Sequence, residues 1–166
     1  IPALSTGNAV FLSFSNGILD AADLANLPEG VSASHLDGDD TGLAKVAELV
    51  PQSHPISDLS LAAMSSGVHL EITGFIKGPI ILIFTGDDNS LSAHPVVSVR
   101  LQDGASAALA EWHQSAVGLS APLISIDVGA KARLDYAKMQ QDSQSSVHLA
   151  ATGVRLGVGS IFDGFQ

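Results

Sequence analysis

From Gly67 onward apolar and polar residues alternate with a period of two, in Val68-His69-Leu70-Glu71-Ile72, Val97-Ser98-Val99-Arg100-Leu101, Ile124-Ser125-Ile126-Asp127 and Ala132-Arg133-Leu134-Asp135-Tyr136. Successive side chains of a strand point to opposite faces, so each stretch predicts a half-buried strand with a polar outer face. Val99, Leu101, Ile124, Ile126, Leu134, Val154 and Leu156 are the residues this pattern points inward.

The strands repeat. Val99 to Ala105, Ile124 to Ala130 and Val154 to Ser160 share the pattern apolar-x-apolar-x-x-Gly-small, with glycines at 104, 129 and 159, intervals of 25 and 30 residues. Such a period fits stacked units, each one coil of a solenoid. A glycine at each corner supplies positive φ or room for close backbone approach. The expectation is a mainly β fold, a single-stranded parallel β-helix over residues 67–166. An antiparallel sandwich would also give short strands punctuated by turns.

Residues 1–66 read differently, as a small mixed α/β cap. Val10-Phe11-Leu12-Ser13-Phe14-Ser15 runs into Asn16-Gly17, a strong hairpin signal. Thr41 is placed to cap a helix over Gly42 to Val50, with Asp39 and Asp40 near its positive end and Pro51 as its stop. A second helix is expected from about Ser57, its N-cap, to Ser66, with Gly67 as the residue that ends it.

Composition narrows the function classes. The chain has 166 residues, 46% of them hydrophobic, and a mean hydropathy of +0.32, which suits a folded domain with one core rather than disorder. Its longest apolar run is Pro79-Ile80-Ile81-Leu82-Ile83-Phe84, far short of the ~20 residues of a membrane-spanning helix. A net charge of −10 with only seven Lys and Arg argues against nucleic acid and anionic lipid as partners. No cysteine is present, which removes disulfides, thiolate ligands and a cysteine nucleophile and fits the cytosol. Ile1 to Thr6 hold neither an initiator Met nor the pattern of a signal peptide, as expected of an excised piece.

Candidate chemistry is sparse. His35, His54, His69, His94, His113 and His148 are scattered without metal-ligand spacing. Glu111 and His113 share one strand face and could form a proton-transfer pair, though a solvated face is the ordinary outcome for such residues. Asp127 and Asp135, on successive strands, could be the paired acids of a sugar-cleaving β-helix, but one Trp and one Tyr offer few stacking platforms. Asp87-Asp88-Asn89-Ser90 has oxygen donors for calcium without the spacing of an EF-hand, and turn formation is its default role. Phosphate-loop, dinucleotide and nucleophile-elbow signatures are absent.

The order of segments resembles the SufB/SufD family of iron–sulfur cluster assembly scaffolds, the SufD branch above all. Phe14-Ser15-Asn16-Gly17 and Leu27-Pro28-Glu29-Gly30-Val31 begin the likeness. His54-Pro55-Ile56-Ser57-Asp58-Leu59-Ser60-Leu61-Ala62 is similar to a SufD pattern in which Asn usually stands at Ser60, and Gly67 to Ile72, Pro79-Ile80, Arg100, Gly104-Ala105, Glu111, Gly129-Ala130 and Val147-His148 follow in order.

That resemblance implies a right-handed parallel β-helix and a non-catalytic scaffold subunit of the SUF machinery, in the cytoplasm, partnering a SufB-like scaffold and a SufC-like ABC ATPase. It also implies that the family's N-terminal helical region and C-terminal part are missing here, so no catalytic, cofactor-binding or metal residue is carried over and no cofactor is assigned. An open last coil suggests a homodimer through the C-terminal end. The alternative from another class is a carbohydrate-active or adhesive β-helix.

Overall fold

The chain opens with β1 (Val10–Ser15), β2 (Ile18–Leu19), a 3-10 segment (Ala21–Asn26), β3 (Val31–His35), α1 (Asp40–Leu49) and α2 (Pro55–Ala62). Three repeating triplets follow: β4 (Ser66–Ile72), β5 (Ile80–Gly86), β6 (Ser92–Ala93); β7 (Pro95–Leu101), β8 (Ser106–Ser115), β9 (Gly118–Ser120); β10 (Leu123–Val128), β11 (Arg133–Gln140), β12 (Ser146–His148). A fourth starts with β13 (Ala151–Leu156) and β14 (Ile161–Phe165). This computed structural model describes residues 8–50, 54–87, 92–116 and 118–165; Pro51, most of the Asp87-to-Ser90 run and the first residues of the chain lie outside them.

Strands of the same rank stack in parallel. β4, β7, β10 and β13 form one sheet, β5, β8, β11 and β14 a second, and β6, β9 and β12 a third. The molecule is a parallel β-solenoid of about three turns, and the antiparallel sandwich is set aside by the direction of every pairing among these strands.

Register turns the sequence pattern into interior ladders. Leu70, Val99, Ile126 and Val154 are stacked partners, as are Ile72, Leu101, Val128 and Leu156. The first three of each ladder are fully buried, and a fully buried aliphatic side chain contributes about 1.5–3 kcal/mol. Val99, Leu101, Ile124, Ile126 and Leu134 therefore point inward as expected, but Val154 and Leu156 are 39% and 54% exposed. They occupy interior positions of the last described coil, where no further strand covers them.

The other end is closed. β1 runs parallel to β5, β2 folds back on β1, and β3 pairs antiparallel with β4. The β1–β2 reversal uses Asn16 and Gly17 at φ 51 and 82, the two left-handed positions that a tight hairpin turn of this twist requires. Leu12, Phe14, Leu19 and Val31 join the same core as the solenoid strands.

Helices α1 and α2 cover the outer face of the β7–β10–β13 region. Leu36, Val46, Val50, Val96, Leu123 and Ala151 form a second apolar cluster there. The polar outer face expected of these strands is accordingly dry at one end: Ser98 and Ser125 are buried. At Gly153 a Cβ would lie 2.2 Å from the carbonyl oxygen of Leu49, so the bare backbone lets α1 lie directly on β13.

Both helix starts differ from expectation. Asp39, not Thr41, caps α1, its Oδ1 accepting from the Gly42 amide at 3.0 Å; a carboxylate adds charge at the positive helix end to the hydrogen bond that a hydroxyl could also make. α2 begins at Pro55, whose fixed φ suits the first helical position, with His54 before it and Ser57 buried inside the first turn. Gly67 ends no helix: it lies in β4 opposite Val96, where a Cβ would meet Leu36 and Met64 within 2.9 Å.

The corner glycines are also re-sorted. Gly104 and Gly159 have φ 72 and 70, but the left-handed residue of the middle coil is Lys131, at φ 57. Gly129 serves instead by close approach, with 2.7 Å between its would-be Cβ and the Leu101 carbonyl oxygen.

Candidate functional site

The interior changes character along β8 and β11. Inward positions of β8 run Ala107, Leu109, Glu111, His113, Ser115, and Leu134, Tyr136, Lys138 and Gln140 follow the same phase on β11. The strand period that buries Leu109 thus carries Glu111 and His113 inside as well, to 1% and 0% exposure. They are not the solvated face that the sequence suggested.

These groups satisfy one another in part. His113 Nε2 and Glu111 Oε2 are 2.8 Å apart, the Tyr136 hydroxyl donates to Glu111 Oε1, and Lys138 Nζ stands 3.9 Å from Oε2. Burial, with the Glu111 carboxylate beside it, drives the Tyr136 hydroxyl far above its ordinary range, so it remains a donor at all physiological pH. His113 lies flat on Phe84, ring centroids 4.6 Å apart, and Phe84 lies on Phe14 at 5.0 Å. These three rings occupy one register column through β1, β5 and β8.

His148 comes from β12 and meets the edge of the His113 ring at 4.7 Å. Its Nδ1 is 3.2 Å from Asp142 Oδ2, at an angle that makes no hydrogen bond, while Asp142 Oδ1 accepts from the Ser115 amide at 2.6 Å. Burial lowers the His148 imidazole to a pKa of about 4, helped by its basic neighbours, so it is neutral at pH 7. Above this cluster an open cleft of about 460 Å³ is lined by Lys138, Gln140, His148 and Ala150.

The structure brings together His113 and His148 but not the other four histidines. His35 is exposed on β3, His54 precedes α2, His69 Nδ1 faces the Ser98 hydroxyl at 3.0 Å, and His94 is buried before β7. Asp127 and Asp135 do not form a pair of acids: they lie in different sheets, Asp127 held by both arms of Arg155 at 3.0 and 2.6 Å and Asp135 by Arg133 at 2.6 Å. Asp87, the one described residue of the calcium candidate, accepts from the Asn16 side chain at 3.0 Å, a turn contact. Lys138, Tyr136 and Asp142 were not singled out from the sequence, although inward phase on β11 marks the first two.

The cluster can hold a proton, orient a polar ligand or offer imidazole and carboxylate donors. No curated protein matches the chain. The family model described as SUF system FeS cluster assembly, SufBD core domain, matches residues 83–166, the stretch from β5 to β14 that carries Glu111, His113, Tyr136 and His148. With half of its length matched and the parallel solenoid that the resemblance implied, the chain belongs to the SufBD core domain family of SUF iron–sulfur cluster assembly.

Proposed function

We propose that the chain is a non-catalytic scaffold of SUF cluster assembly, of the SufD kind, which works in the cytoplasm beside a SufB-like scaffold subunit and a SufC-like ABC ATPase. The observation that carries the reading is the family match laid over a rigid, apolar-filled solenoid. A stack of parallel coils transmits displacement along its axis because each strand is tied to the next by a full ladder of hydrogen bonds. The SufD assignment over SufB rests on the His54-Pro55 segment that begins α2.

Anaerobic mixing with a SufB-like subunit and a SufC-like ATPase tests the reading. The chain should enter their complex, and alone should retain no iron–sulfur cluster and hydrolyse no ATP. A stoichiometric cluster on the chain alone, or cleavage of an acidic polysaccharide by it, would overturn the proposal.

A further inference from the structure

Among the described residues, eight buried side-chain atoms have no hydrogen-bond partner, and five of them fall in one patch: His113 Nδ1, Asp142 Oδ2, Ser146 Oγ and both ring nitrogens of His148. A buried polar atom without a partner costs about 1–3 kcal/mol. Although His148 Nδ1 and Asp142 Oδ2 face each other at 3.2 Å, neither makes a hydrogen bond. This concentration of unpaired atoms around His148, which lines the open cleft, points to a ligand.

The chemistry of the patch selects the ligand. Glu111 accepts from His113 Nε2, which leaves a lone pair on Nδ1; a carboxylate behind an imidazole is the arrangement that fixes the tautomer of a metal-binding histidine and raises its basicity. The His148 ring nitrogens and the second carboxylate oxygen of Asp142 add unpaired donor atoms to the patch. With Glu111 and Asp142 against Lys138, the local balance of charge is negative. Imidazole with carboxylate suits borderline ions of the first transition row over calcium or magnesium.

We propose that His113, His148 and Asp142 form a latent site for a divalent first-row transition ion, with Glu111 as the residue that positions His113. The site is closed as it stands: His148 meets His113 edge to face at 78°, and among the described residues no three His, Asp or Glu side chains converge on one point. His148 is the part that moves. Its Nδ1 already stands 3.2 Å from Asp142 Oδ2 without a hydrogen bond, so a turn of the ring that brings it toward His113 Nδ1 breaks no hydrogen bond, and the cleft that His148 lines is the entry path. This inference rests on the geometry of the patch and not on the scaffold reading.

The test is titration of the chelator-treated chain with Zn²⁺ by calorimetry and with Co²⁺ by visible absorption. One ion per chain is expected, with the d–d bands of low-coordinate cobalt and a raised melting temperature. Asp142→Asn, nearly isosteric and able to keep the Ser115 contact, and His148→Gln should each weaken binding by about tenfold or more, and Glu111→Gln by about 10–100-fold. Lys138→Met, which removes the opposing charge, should tighten it. Because Glu111 is fully buried, that variant is judged only if its far-UV spectrum is native; Asp142→Asn and Lys138→Met decide regardless. No binding at millimolar Zn²⁺, or binding that Asp142→Asn and His148→Gln leave unchanged because it sits on exposed His35 or His54, would overturn the site.

Discussion

Lys131 occupies the same corner of its coil as Gly104 does of the coil before, and both are left-handed, at φ 57 and 72. Gly159 repeats the position one coil later at φ 70. An L side chain in this region costs about 1 kcal/mol or more that glycine does not. Lys131→Gly should therefore stabilise the chain by up to about 1 kcal/mol, less what glycine adds in unfolded-state entropy. Gly104→Ala should destabilise it. Urea midpoints of the two variants should move in opposite directions.

Tyr136→Phe removes a donor from a carboxylate that water cannot reach. The expected loss is about 1–3 kcal/mol, visible as a lower urea midpoint with unchanged slope. An unaltered midpoint would mean that Glu111 finds another donor.

Gly153→Ala tests how α1 is held. The added methyl would come within 2.2 Å of the Leu49 carbonyl, and backbone cannot yield as a flexible side chain can. Overpacking of this kind costs about 1–3 kcal/mol, and hydrogen exchange should rise in α1 before it rises in β7 or β10.

Stability should also depend on pH below neutrality. Burial lowers the imidazoles of His69, His94 and His148, the last to about 4 from 6.5. As pH falls through 6.5 the unfolded chain takes up protons that the folded chain refuses, so stability is full above that value and drains down to about 4, where the His148 contribution levels off. In metal-free buffer the urea midpoint should fall between about pH 7 and about pH 5, and His148→Gln should flatten the fall. A flat profile in the wild type would contradict the burial of these rings.

Strand positions and interior ladders were legible in the sequence because a period of two survives wherever one face is buried. Val99, Leu101, Ile124, Ile126 and Leu134 are plain examples. The corner residues were less so: aligning on glycine paired Gly129 with Gly104, whereas the ladder pairs Gly104 with Lys131, since either positive φ or close approach can call for glycine and only the register tells them apart.

The site was half visible. Glu111 and His113 were marked as sharing a face, yet which face is settled by Leu109 and Ala107 ahead of them in the same phase. His148 could not be joined to them, because contact between β12 and β8 depends on how tightly the coil turns between Gln140 and Ser146, and no local pattern encodes that distance.

Complex formation gives the central claim its most direct test. In size-exclusion chromatography of an anaerobic equimolar mixture, the chain should elute together with a SufB-like subunit and a SufC-like ABC ATPase, ahead of the position of any one of them alone. A chain that elutes apart from both partners at micromolar concentration would contradict the scaffold reading.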